Sequence, residues 1–188
     1  AVIFLLVVFA LGWISIPLFL EKPKYSVELA ERNFQIRAYE QHIIAKVITD
    51  GERQQALRNG FRPLVRYIGA KERGGNKISM TVPVMQEKNS SNDWSVFFFM
   101  PSEFTKNSLP PAVDKNIQFE DVMARKTAAI TFSGLTTNQL LIDKEKSLLE
   151  WIHQNNYTQI GKPIYAFYND PLTPSFLRKN EILINVLE

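Results

Sequence analysis

Residues 77–85, Lys-Ile-Ser-Met-Thr-Val-Pro-Val-Met, alternate along their length. Ile78, Met80, Val82 and Val84 fall on one side, and Ser79, Thr81, Pro83 and Met85 on the other. A period of two is the pattern of a half-buried strand. Pro83 has no N–H to give a ladder, so the strand is expected at a sheet edge or at a bulge. Gly74 and Gly75 mark a turn before it. The same alternation recurs at residues 34–39, where Phe34, Ile36 and Ala38 oppose Gln35, Arg37 and Tyr39. Further strand-like runs lie at 25–29, 43–49, 94–100, 117–122, 127–132, 159–168 and 181–187.

Two stretches switch to helical spacing. Leu57, Phe61, Leu64 and Ile68 recur at intervals of four, three and four, one apolar stripe on a helix spanning about 52–68. Pro63, next to but one after Phe61, removes an internal hydrogen bond and predicts a kink or break. A second helix runs from a Thr136 or Thr137 cap to about Asn155, with Leu141, Leu148 and Ile152 inward. The order of strands, helix and strand pair occurs twice, which suggests two halves of similar build without a visible sequence repeat. The expected fold is α+β: a mainly antiparallel, distorted β-barrel with two long helices, pseudo-duplicated.

Residues 1–20 carry no charged side chain and are dominated by Val, Ile, Leu and Phe. About 20 such residues suffice to cross a bilayer as a helix. No small-x-small cleavage site follows the run, so an uncleaved transmembrane anchor is expected, with a cleaved signal peptide as the alternative. That reading implies a single-pass membrane location and leaves open the side on which the domain lies. Residues 21–24, with Pro23, read as a linker, and 25–188 as the folded domain.

Composition narrows the chemistry. Of the 188 residues, 45% are hydrophobic and 12% aromatic, enough for a real core and against wholesale disorder. The net charge of +3 is scattered, with no basic arm, so nucleic acid is not an expected partner. The absence of Cys excludes disulfides, thiolate catalysis, Fe–S clusters and covalent c-type haem. There are two histidines, His42 and His153, with no His-x-x-x-His and no glycine pattern suited to phosphate. No enzymatic activity is therefore expected.

The last loop carries a more specific string, Tyr168-Asn169-Asp170-Pro171-Leu172-Thr173-Pro174, leading through Arg178 and Lys179 to Asn180-Glu181-Ile182. Together with Arg37 in its early strand, the 60–68 helix segment, Met80-Thr81-Val82-Pro83-Val84, Phe99-Met100-Pro101-Ser102 and Thr131-Phe132-Ser133-Gly134, it resembles the SOUL haem-binding family over about residues 25–187. The resemblance implies a pseudo-duplicated barrel akin to bacterial effector-binding domains. It also implies reversible, non-covalent binding of b-type haem or a related tetrapyrrole in an apolar groove beside the first helix. Three positions depart from the family pattern: Pro63 within that helix, Ala38 where some members carry histidine, and Ser175 before Phe176.

On that reading the candidate site comprises Leu57, Phe61, Leu64, Met80, Phe176, Leu177, Arg178 and Lys179. Leu57, Phe61 and Leu64 serve as core or as groove wall. Met80 packs or ligates iron, and Arg178 and Lys179 hold propionates or solvate the loop. His42 is the one weak metal candidate. Haem is expected to be held by apolar contact and propionate pairing, without a fixed axial histidine. The expected function is a membrane-anchored tetrapyrrole carrier or buffer. The alternative is an accessory subunit of a membrane protein complex that keeps the fold without the ligand.

Overall fold

In the computed structural model, which describes residues 19–188, the alternating runs pair into one antiparallel sheet. Its strands are β1 (Tyr25–Glu31), β2 (Phe34–Tyr39), β3 (His42–Thr49), β4 (Val84–Lys88), β5 (Trp94–Phe99), β6 (Gln118–Val122), β7 (Arg125–Phe132), β8 (Thr158–Gln159), β9 (Ile164–Phe167) and β10 (Asn180–Leu187). The helices are α1 (Arg53–Ile68) and α2 (Asn138–Gln154). Nine strands follow the order β1-β2-β7-β10-β9-β4-β5-β3-β6, and β8 pairs with the end of β10. β1 and β6 end this path without pairing to each other, so the expected barrel is corrected to an open, curled sheet.

The two halves expected from the element order are visible in the pairing. The series β2-β3-α1-β4-β5 is matched by β6-β7-α2-β9-β10, and β4 meets β9 at the centre. The first strand of each series does not pair with the second strand of its own series. β2 pairs with β7 and β6 with β3, so each half lends a strand to the other.

Three apolar clusters fill the molecule. One lies under α1 and joins Leu64, Tyr67 and Ile68 to Ala45, Val47, Val96 and Phe98. A second lies under α2 and joins Leu141, Leu148, Trp151 and Ile152 to Ile36, Ala128, Ile130, Ile182 and Ile184. The third occupies the opposite face of the sheet, where Ile44, Met85, Phe97, Phe99, Ala129, Ile164, Ala166 and Leu183 meet. Because strands from β3 to β7 share this last cluster, the sheet must wrap around it. α2 begins as expected, with the Thr137 hydroxyl accepting from the Leu140 N–H at 3.2 Å.

Several expectations change. Residues 77–83 are extended but belong to no ladder; apart from an isolated bridge between Glu21 and Thr81, pairing starts at Val84. The missing N–H of Pro83 marks that boundary. α1 runs unbroken from Arg53 to Ile68 with Pro63 inside it, so no break occurs there. Residues 159–168 split into β8 and β9 around Gly161 and Pro163, which interrupt a continuous ladder. Residues 21–24 are tied down as well as connecting: the Glu21 carbonyl accepts from the Val82 N–H at 3.0 Å and its carboxylate from the Ser102 N–H at 2.8 Å. Among the described residues no helix is long and apolar enough to cross a membrane. The expected anchor lies, but for Phe19 and Leu20, outside the described residues.

A candidate ligand groove and the buried ion pair behind it

Small residues decide which face of α1 meets the sheet. Ala56, Gly60, Leu64 and Tyr67 are buried along one line of the helix. At Gly60 a Cβ would stand 2.6 Å from the Val96 Cβ, so the helix backbone lies directly on β5. With Ala56 and Gly60 in the centre, the larger Leu57 and Phe61 are turned to the flank. There they border a groove of about 350 Å³.

The rest of the groove comes from three segments. Met80, Val82 and Val84 project from the extended stretch before and into β4. Phe167, Tyr168, Pro171 and Thr173 come from β9 and the last loop, and Leu20 enters from the N-terminal side. Arg58, Asn169 and Asp170 supply polar atoms to the lining. The wall is thus mainly aliphatic and aromatic, with a thioether, one guanidinium and one carboxylate. This is the composition of a site for a bulky apolar ligand.

Of the residues singled out from sequence, Leu57, Phe61 and Met80 come together here. Leu64 lies wholly inside the cluster under α1, away from solvent. Phe176 and Leu177 are exposed on a short 3-10 turn, Ser175–Leu177, and do not line the groove. Arg178 donates from Nε to the Thr173 carbonyl at 2.7 Å and from Nη2 to the Pro171 carbonyl, so it clamps the loop that forms one wall. Lys179 stands 4.3 Å from the centre of the Tyr168 ring and 3.0 Å from a Glu181 oxygen.

Neither histidine reaches the groove. His42 lines a separate, more polar depression with Lys22, Lys24 and Asp121, and its Nδ1 lies 2.8 Å from the Glu40 carbonyl oxygen. Burial lowers its pKa against the raising effect of that hydrogen bond, with the charge of Arg125 lowering it further. His153 is exposed in the last turn of α2. Among the described residues no group of three or more His, Cys, Asp or Glu side chains could hold a metal ion.

Sequence reasoning missed what stands behind the groove wall. Arg37 on β2 and Glu181 on β10 are both buried and pair through two N–H···O contacts of 2.9 Å. The Tyr168 hydroxyl donates to Glu181 Oε2 at 2.7 Å, and Thr131 Oγ1 donates to Oε1 at 3.0 Å. Arg37 also donates to the Tyr39 hydroxyl at 3.1 Å and to Gln35 Oε1 at 2.8 Å, while its guanidinium stacks 4.5 Å from the Tyr25 ring centre. Burial opposes ionisation of Glu181, but the hydrogen bonds and charge of Arg37, with Lys179 and Tyr168, hold its carboxyl down at about 2. Burial and the Glu181 charge push the Tyr168 phenol well up, so it remains a proton donor to the carboxylate. A clue was present in the alternation of β2: its polar set includes Gln35, Arg37 and Tyr39, and that set faces the inside of the curl.

The fold and sequence have relatives. The family model described as SOUL heme-binding protein matches residues 20–185. Heme-binding protein 1 of Mus musculus is 25% identical over 157 residues, covering 80% of this chain and 82% of the mouse protein. Among solved structures, a hydrolase from Listeria innocua superposes with a TM-score of 0.59 at 11% identity, covering 85% of this chain and 94% of its own. The EcmrR C-terminal domain superposes with a TM-score of 0.57 at 16% identity, covering 87% and 98%. At such identities the structural matches speak for the fold alone. The family match spans nearly the whole described chain, and on it this protein belongs to the SOUL heme-binding protein family.

Proposed function

We propose that this chain is a membrane-tethered protein that binds haem, or a closely related tetrapyrrole, reversibly and without a covalent bond. The observation that carries the reading is the apolar groove beside α1 in a chain of this family. Bound haem would supply a flat apolar macrocycle, an iron and two propionates. Leu57, Phe61, Val82, Val84 and Phe167 suit the macrocycle. Met80 is the one described lining residue with a sulfur, and no histidine is in the lining, which supports binding by apolar burial rather than by a strong axial ligand. Arg58 is exposed at the groove and is the cation best placed to meet a propionate. Arg178, committed to two carbonyls, acts as a positioning residue for the wall. The tether is the apolar stretch 1–20.

Titration of the detergent-solubilised full chain with hemin, followed in the Soret band, is expected to saturate at micromolar protein. Phe61→Ser removes apolar contact worth roughly 1–2 kcal/mol and should weaken binding about tenfold. Arg58→Ala should weaken it severalfold, and His42→Ala should leave it unchanged. Absence of saturation defeats the proposal. Loss of most affinity in His42→Ala would move the site out of the groove.

A further inference from the structure

We propose that the loop 169–179 rests on a bilayer surface, so that the groove opens onto lipid and exchanges its ligand with the membrane. The loop carries Leu172 and Phe176 at 78% and 73% exposure, with Leu177 beside them and Phe19 exposed at the N-terminal side. Single exposed apolar residues are ordinary; several on one short loop beside a groove are not. Leu172 and Phe19 flank the groove mouth, because Pro171 and Thr173, on either side of Leu172, line the groove together with Leu20, the neighbour of Phe19, and Phe176 and Leu177 follow on the same loop.

The loop backbone that carries these side chains is held by its own bonding. Asp170 Oδ1 accepts from the Leu172 N–H at 2.7 Å, Asn169 Oδ1 from the Lys179 N–H at 2.7 Å, and the Ser175 carbonyl from the Gly134 N–H at 3.0 Å. Arg178 closes the ring on the carbonyls of Thr173 and Pro171. The apolar tip is therefore carried on a braced backbone. Arg58 at the groove and Lys179 on the loop, beside the single lining carboxylate of Asp170, supply cations that anionic headgroups attract.

A bilayer is the occupant these facts favour, because of where the tether joins. The charge-free stretch 1–20 runs straight into Leu20, already a groove wall, and Glu21 is bonded to Val82 and Ser102. No slack separates the apolar stretch from the groove. A domain held to a membrane at that point keeps this face toward it. The inference rests on the tether of the preceding proposal; haem enters only as the cargo.

The chain has no cysteine, so single labels are available. Leu172→Cys, Phe176→Cys and, on the exposed side of α2, Glu150→Cys would each carry an environment-sensitive fluorophore. The full chain would be reconstituted in phosphatidylcholine vesicles containing phosphatidylserine. The labels at 172 and 176 should show blue-shifted emission and quenching by lipid bearing a nitroxide near the headgroup, and the label at 150 neither. Equal water exposure at all three sites overturns the docking. Shielding at 172 and 176 without lipid quenching also overturns it, since the chain's own apolar segment or a second copy then covers the loop. Failure of the chain to float with vesicles overturns docking and tether together. Hemin titration in detergent is independent of all these outcomes, so a failure of haem binding is read separately.

Discussion

Arg37→Ala should cost about 3–5 kcal/mol of folding free energy, because it leaves the Glu181 carboxylate buried without its bidentate partner. Tyr168 and Thr131 can each still donate one hydrogen bond, and Lys179 remains 3.0 Å away, but Lys179 is half in solvent and supplies a point charge rather than a fork. Urea unfolding of the full chain in detergent measures the loss. The double change Arg37→Met with Glu181→Met should recover much of it, since removing both charges relieves the desolvation that one alone suffers. If the double variant is no more stable than the single, the cost arises from packing volume rather than from a stranded charge. The pair also gives stability a pH dependence of definite sign. The folded carboxyl titrates at about 2 against an ordinary 4.5, so its contribution is complete above the ordinary value and fades as pH falls toward 2. In Arg37→Ala this part of the acid response should largely vanish.

Gly60→Ala is the second large effect, and its sign opposes helix propensity. In an exposed helix the change would stabilise by about 1 kcal/mol. Here the new Cβ would lie 2.6 Å from the Val96 Cβ, two atoms fixed directly to backbone that no rotamer change can separate. α1 must lift from β5, and the expected net loss is about 1–3 kcal/mol, visible as a lower thermal midpoint. Lifting the helix also displaces Leu57 and Phe61, so hemin affinity should fall although neither side chain is altered. Adding Val96→Gly removes the opposing Cβ itself, and the two changes should cost less together than their sum. Strict additivity would show that the contact is not what holds the helix down.

These two residues also mark how far the sequence could be read. The strands, both helices, the two-half order and the α1 residues Leu57 and Phe61 follow from local periodicity, and the family from strings such as Tyr168 to Pro171. Periodicity finds an apolar stripe but not its centre. Gly60 and Ala56 do not register as hydrophobic, yet their smallness sets the seat of the helix, buries Leu64 and turns Leu57 outward. The Arg37–Glu181 pair was illegible for another reason: its members are 144 positions apart, and the alternation of β2 groups Arg37 with Gln35 and Tyr39 without naming the side that turns inward. Residues 77–83 have the sequence pattern of a strand, but Thr81, Val82 and Pro83 are buried in succession, and a ladder needs a neighbour, which periodicity does not reveal. Arg178 looks like a ligand-binding cation in sequence because its true partners are carbonyls that carry no residue signature.

The exchange of β2 and β6 between the halves bears on how the chain acquires its shape during synthesis. β2 leaves the ribosome well before its interior neighbour β7, about ninety residues later, and β7 must in turn await β10, the last strand among the described residues. Neither half can be completed ahead of the other, so folding is deferred until β10 has emerged from the ribosome. Until then the nascent chain displays unpaired edges, an arginine destined for the interior and the apolar faces of both helices. Such a chain has a high contact order and a long aggregation-prone interval. Its yield in a cell should therefore depend on chaperones that bind exposed apolar segments, more than its final stability would suggest.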